Sequence, residues 1–284
     1  MAKFAVVITG RGRFPHVECF YETARSVAKA LVRLGHEVSA DPSQGRLIAF
    51  GANNLHEVDG APIPKDAIIF NSEQLAAVED PGFFMQGYLS GSKTLTVWDY
   101  SAANVRAMRE KLGITRAVHC PLGYVPEMTT IQSLPPEQQD IDVLHYGSIG
   151  DSRRKEVLSD LEKAGLKVVK LFGAYGAERD AYVARSKVVI NLHYYPNGVF
   201  EIFRVSHLLA NRKCVVTEAG GCDPQLEELA QRSCEYVDRE RLVDACRTLV
   251  RLDDMRRSVE ARGFAAFSQL DFTESVRRAL EQSS

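Results

Sequence analysis

What most constrains this chain is an alternation, kept up along its length, of short continuous apolar runs with longer segments of helical period. A short apolar run suits a strand buried on both faces. Interleaved helices cover those faces, so the pattern predicts a parallel α/β sheet. In the first half, residues 4–9 form such a run. Phe20, Ala24, Val27, Ala28, Leu31 and Leu34 then recur at helical spacing, and Gly35 stops the helix before an extended piece at 36–38. Strands are expected at 67–70, 94–99 and 117–120, with a helix over 102–112. The second half is more regular. It predicts strands at 142–147, 166–172, 188–193 and 214–218, helices at 152–164, 177–186, 200–210 and 224–231, and two or three further helices to the end.

Between the halves lies MTTIQSLPPEQQD, polar, without apolar periodicity and carrying Pro135-Pro136. It reads as a linker over about 127–140. The expected class is α/β, with two Rossmann-like domains facing a cleft: residues 1–134, and a second domain over 135–266. A length of 284 residues suits two such domains, and 45% hydrophobic with 25% charged residues is a globular mix. The formal net charge of −2 lacks the basic footprint of a nucleic-acid binder, so nucleic acid is not an expected partner. The opening MAKFAVVITG reads as a first strand and not a leader, and no stretch approaches the roughly 20 apolar residues of a membrane helix. Cysteines at 19, 120, 214, 222, 234 and 246 form no CxxC pair. Reduced thiols in a cytoplasmic protein are the reading that follows.

Three constellations carry chemistry. In HYGSIGDSRRKEVL a strand ends at Gly147, and Ser148 and Gly150 lead to a helix start near Ser152. Small residues let backbone N–H groups approach an anion, the helix N-terminus adds partial positive charge, and Arg153 and Arg154 supply charge-assisted bonds to a diphosphate. An ordinary turn with solvated arginines would look the same. No GxGxxG or Walker pattern is present. In NLHYYPNGVFEIFRVSHLLANRKCVVTEAGG, Glu201, Arg204 and His207 stand three apart on one helical ridge. A carboxylate in that helix's first turn is placed to accept from ribose or sugar hydroxyls. It equally suits the helix dipole and a pair with Arg204. Gly220-Gly221 marks a turn or a close approach to ligand. The third constellation joins Gly10, Arg11, Gly12 and His16, after the first strand, with Asp99 at the end of another. A histidine oriented by a carboxylate suits acceptor deprotonation, and caps at two helix starts would use the same residues. Glu18 is a second base candidate. His119, His145 and His193 end strands, and Tyr194-Tyr195 wall a loop.

The stretch from Asp142 to Gly221 resembles the donor domain of GT-B glycosyltransferases, in particular the spore-maturation-type and family-4-like group. RVSHLLANRKCVVTEAGG resembles that group's helix–strand–glycine segment, and DYSAANVRAMREKLGITRAVHCPLGYVPEM the end of its first domain. GFAAFSQLDFTESVRRAL resembles its last helices, so 267–284 is expected to pack back on the first domain. The group commonly has two glutamates eight residues apart here. This chain has Glu201, with His207 near the second place. The resemblance implies transfer of a sugar from a nucleoside diphosphate sugar, a UDP-sugar by preference, to a glycan, small-molecule or protein acceptor. It places the diphosphate at Gly12, Gly147, Ser148, Arg153 and Arg154, and the base at Phe172 and Gly173. Glu201, Arg204 and His207 hold the ribose or sugar, and His16 with Asp99 acts on the acceptor. No paired-Asp metal motif is present, so neither metal nor a further cofactor is expected. A Rossmann-type epimerase or oxidoreductase, or a non-catalytic degenerate transferase, are the competing readings.

Overall fold

The computed structural model describes residues 1–10, 16–52, 57–58, 61–86 and 95–283. The chain divides into two units: Met1–Glu127 with Leu270–Ser284, and Met128–Gln269.

The first unit is built on a six-stranded parallel sheet. Its strands are β1 (Lys3–Ile8), β2 (Glu37–Ser39), β3 (Arg46–Phe50), β6 (Ile68–Asn71), β7 (Thr96–Asp99) and β8 (Ala117–His119), in the order β2-β1-β3-β6-β7-β8. The two-residue strands β4 (Glu57–Val58) and β5 (Ala61–Pro62) form a separate antiparallel pair. Helix α1 (Tyr21–Arg33) buries Ala24, Val27, Ala30 and Leu31, the face its spacing marks out. It ends where Gly35 takes φ +81° and His36 N–H reaches back to Leu31 O (3.1 Å), a closure that a β-carbon would strain. Helix α2 (Ala102–Leu112) starts on the Ser101 side chain, which accepts from Asn104 N–H (3.2 Å).

The second unit holds β9 (Ile141–Tyr146), α3 (Ser152–Lys163), β10 (Val168–Leu171), α4 (Gly176–Arg185) and β11 (Ser186–Asn191). These are followed by α5 (Ile202–Ala210), β12 (Cys214–Glu218), α6 (Pro224–Ser233), β13 (Glu235–Val237), α7 (Leu242–Arg251) and α8 (Asp253–Ser268). Its parallel sheet runs β10-β9-β11-β12-β13. Val143, Val188, Ile190, Cys214 and Val216 of the strands pack on Leu158 and Leu161 of α3 and Leu242, Cys246 and Leu249 of α7. The stretch read as a linker is fastened to this unit. Asn211 Oδ1 accepts from Thr130 N–H and Ile131 N–H (2.7 Å each), and its Nδ2 donates to Met128 O (3.0 Å) and His207 O (2.8 Å).

The last helix, α9 (Phe272–Glu281), packs on α1 within the first unit. Just beyond it, Ser283 accepts from Trp98 Nε1 (2.8 Å) through Oγ and from Arg46 Nη2 (3.0 Å) through its carbonyl. Three features differ from the sequence expectation. β13 adds a fifth strand to the second sheet where only helices were expected. β3 was not anticipated, because it follows β2 through a turn with no helix between. α5 starts at Ile202, which makes Glu201 its N-cap and not a first-turn residue. Among the described residues no helix is long and apolar enough to cross a membrane.

Candidate functional site

In the second sheet the chain leaves β9 for β10 on one side and returns to β11 on the other. Loops after β9 and β11 therefore diverge, and the crevice beyond these strand ends is where such sheets take ligands. The first loop begins at Gly147, with φ +124° and its N–H on Leu171 O (3.0 Å). A β-carbon there would lie 2.7 Å from Arg204 Nη2, so glycine makes room for a guanidinium. Asp151 caps α3, its carboxylate accepting from Arg154 N–H (3.0 Å).

Arg154 does not reach into solvent. It shares a helix face with Val157, Leu158 and Leu161, all buried, and is 2% exposed. Nη1 donates to Ser148 O (2.7 Å) and Nη2 to Leu192 O (2.6 Å) and Glu201 Oε1 (2.8 Å), tying the two loops across the crevice. The guanidinium also lies over the Tyr194 ring, 5.2 Å from its centre. Burial lowers its pKa and the Glu201 carboxylate opposes that shift.

Glu201 is the keystone. Its Oε2 accepts from Arg204 Nη1 (2.9 Å), so one carboxylate at the start of α5 bridges two guanidinium groups. Arg204 Nη1 also donates to Asn191 Oδ1 (3.1 Å), and Asn191 Nδ2 donates to Thr217 Oγ1 (3.0 Å), carrying the network across the ends of β11 and β12. The Arg204 side chain is 16% exposed, that of Glu201 10%. A second carboxylate, Glu218 at the end of β12, was not picked out from the sequence, where a lone glutamate ending a strand carries no periodic signal. It pairs with Arg153 and accepts from His193 N–H (3.1 Å), with Arg239 3.7 Å away.

Nine buried side-chain nitrogen and oxygen atoms among the described residues lack a hydrogen-bond partner, and seven gather here. They are both ring nitrogens of His145, both of His193, Asp151 Oδ2, Arg153 Nη1 and Arg154 Nε. Buried polar groups are normally satisfied, so such a gathering marks where a polar ligand or water completes the structure. Burial, with Arg204 and Arg154 nearby, holds the His145 pKa down to about 3, which keeps the ring neutral.

The other sequence candidates are placed as follows. Phe172, 56% exposed, and Gly173, at φ +78°, follow β10 directly beside Gly147. His207 is set apart from Glu201. It faces α4, with Nε2 3.0 Å from Asp180 Oδ1 and 3.1 Å from Arg179 Nη2. In the first unit His16 is exposed after β1. Asp99 is fully buried and accepts from Asn71, Ser101 and Asn104, so it would act on a substrate only through a neighbour. Gly12 and Arg11 lie outside the described residues. Among those described, no group of three His, Cys, Asp or Glu side chains is placed to hold a metal ion.

No family model matches the sequence. Uncharacterized protein L140 of Acanthamoeba polyphaga mimivirus is 29% identical over 185 residues, which is 62% of this chain and 57% of L140. Uncharacterized protein L138 of the same virus is 33% identical over 91 residues, 31% of this chain and 10% of L138. The matched region thus spans little more than half of the first relative and a tenth of the second. Among solved structures, the chain is similar to WaaG, a glycosyltransferase involved in lipopolysaccharide biosynthesis (TM-score 0.62, 11% identity, 99% of both chains). It is also similar to HepE of Anabaena in complex with UDP and glucose (TM-score 0.56, 12% identity, 92% of this chain and 82% of that one). A third is the DNA-modifying β-glucosyltransferase, solved with and without its substrate uridine diphosphoglucose (TM-score 0.56, 13% identity, 99% and 97%). These likenesses show the fold, the two-sheet α/β arrangement of GT-B type.

Proposed function

We propose that this chain is a glycosyltransferase that takes a nucleoside diphosphate sugar as donor at the strand ends of its second unit. The observation that carries the reading is the gathering of seven unsatisfied buried polar atoms around the Arg154–Glu201–Arg204 bridge, at the sheet's switch point. The base stacks by Phe172 and Gly173. The diphosphate sits over Gly147 and Ser148, where the Arg204 guanidinium already lies. Ribose or sugar hydroxyls donate to Glu201, whose carboxylate keeps free lone pairs beyond the two arginine bonds. Arg154 acts by fixing the two loops and not by touching phosphate. UDP is the favoured nucleotide, since HepE and β-glucosyltransferase were solved with it or its glucose conjugate.

In the transfer, the bond from the anomeric carbon to the diphosphate breaks, and negative charge grows on the leaving phosphate. A preorganised guanidinium and backbone N–H groups stabilise that charge without reorganising. We therefore assign no divalent cation to the step. The test is a thermal-shift panel of UDP-, GDP-, CDP- and dTDP-sugars with and without EDTA. A ligand that binds only the folded state stabilises it by RT ln(1 + [L]/Kd). A shift with one nucleotide family, unchanged by EDTA, is expected. No shift with any member overturns the donor assignment, and a shift that needs magnesium overturns the metal-free step.

A further inference from the structure

The guanidinium of Arg204 is hydrogen-bonded through one nitrogen only. Nη1 donates to Glu201 Oε2 (2.9 Å) and to Asn191 Oδ1 (3.1 Å). Nothing among the described residues takes Nε or Nη2, and Nη2 is the nitrogen that stands over Gly147. An N–H···O bond stays favourable down to angles of about 150°, so two bonds on one nitrogen let the opposite edge tilt by some tens of degrees.

What restrains the tilt is a ring. Arg204 lies over Tyr146, with Cζ 5.6 Å from the ring centre, inside the roughly 6 Å range of cation–π attraction. A contact on the face of a planar cation resists tilting out of its plane, the motion that in-plane hydrogen bonds resist least. Tyr146 is the last residue of β9, registered on Leu171, and Gly147 follows it directly. The residue that makes room for the guanidinium and the one that steadies it are therefore neighbours in the chain. The ring is itself braced. Arg179 of α4 lies over it at 5.9 Å, buried and tied to Asp180 Oδ1 through Nε (2.9 Å) and Nη2 (2.7 Å). The Tyr146 hydroxyl contributes little, since its 3.4 Å reach to Arg204 O is long for an O–H···O bond. All of these groups belong to the second unit.

We propose that Tyr146 is a positioning residue whose ring holds the Arg204 guanidinium in the orientation that receives the donor diphosphate, an assignment that rests on the donor reading above. Tyr146 touches no phosphate itself. It removes in advance the freedom that Arg204 would otherwise lose on binding, so the gain falls on the charged part of the ligand and not on the base or ribose.

The experiment measures, by calorimetric titration, the affinity of the nucleoside diphosphate whose sugars give the largest thermal shift (UDP, GDP, CDP or dTDP) and of its parent nucleoside. Tyr146→Leu is expected to weaken the diphosphate about fivefold to thirtyfold, the worth of a partly desolvated cation–π contact, and to leave the nucleoside within about twofold. Tyr146→Phe keeps the ring face and should hold the diphosphate within about twofold of the unaltered chain. In an Arg204→Ala background, Tyr146→Leu should cost nothing further, because the group it steadies is gone. If Tyr146→Leu melts too low to titrate, replacing Tyr146 by a trifluorinated phenylalanine keeps the ring's shape and drains its face of electron density. The same loss is then expected relative to Tyr146→Phe. Four results each overturn the role of Tyr146 and leave the donor reading standing. They are diphosphate affinity unchanged in Tyr146→Leu, equal losses for nucleoside and diphosphate, Tyr146→Phe as weak as Tyr146→Leu, and the full loss persisting in the Arg204→Ala background. Binding of none of the four diphosphates by the unaltered protein overturns the donor reading and this assignment together.

Discussion

The guanidinium of Arg204 lies over the α-carbon of Gly147, so close that a β-carbon there would come within 2.7 Å of Nη2. Gly147 also holds φ +124°, a conformation L side chains rarely adopt. Gly147→Ala is therefore expected to destabilise the protein by more than about 1 kcal/mol and to weaken the donor-induced thermal shift. Adding Arg204→Ala should recover part of the stability, because it removes the clash, but not the donor response. Urea unfolding with a donor titration checks both. Equal stabilities of the single and double variants would show that strain at φ alone is responsible.

Glu201 joins two guanidinium groups with its own side chain only 10% exposed, so its charge serves the fold as well as a ligand. Breaking a buried ion pair costs roughly 3–5 kcal/mol, and Glu201→Gln leaves Arg154 and Arg204 facing a neutral amide. A loss of about 3 kcal/mol in urea unfolding is expected. Donor affinity should also fall about tenfold to a hundredfold, the worth of a hydrogen bond to a charged group. Unchanged affinity in a less stable protein would remove Glu201 from the donor contacts.

His145 is held neutral in the fold, with its pKa lowered from 6.5 to about 3 by burial first and by Arg204 and Arg154 second. The unfolded chain takes up a proton there near pH 6.5 and the folded one does not. The stability this contributes is full above about pH 6.5 and drains as pH falls toward 3. Between pH 6.5 and 5, ahead of carboxylate titration, His145→Phe should flatten the decline of stability with acid. An identical slope in the variant would show that other groups set it.

Asn211 uses both lone pairs of its oxygen and both N–H bonds of its amide on the backbone of Thr130, Ile131, Met128 and His207. Asn211→Ala strands four buried or half-buried groups, so a loss of about 3 kcal/mol is expected. Asn211→Asp should be nearly as harmful, since it exchanges two donors for acceptors. Hydrogen exchange should quicken at Thr130 and Ile131 in both variants. Protection there at the unaltered level would place the anchor of this segment elsewhere.

The parts legible in the sequence are those where one physical rule acts alone. α2 and β12 occupy the residues their patterns mark, because capping serine, apolar period and glycine stop agree in the first, and a short apolar run is bounded by polar residues in the second. β3 was missed because strand–helix alternation leads one to expect a helix after β2, and the chain instead crosses to the other side of β1 through a short turn and runs parallel again. The sequence reading gives Arg154 to a diphosphate, although its spacing to Val157, Leu158 and Leu161 already places it on the apolar face of α3. Its charge outweighed its position in that reading. Glu218 left no trace to follow. It acquires its meaning from His193 and Arg153, 25 and 65 positions away, which only the closed sheet brings near.

The first unit is completed by residues that come last in the chain, while the second is one uninterrupted stretch. During synthesis, therefore, residues 128–269 can close their own sheet while the first unit still lacks α9 and the Ser283 contacts to Trp98 and Arg46. The first unit is therefore complete only once a segment made after the whole second unit has joined it. Until then the face of α1 that α9 covers stays open.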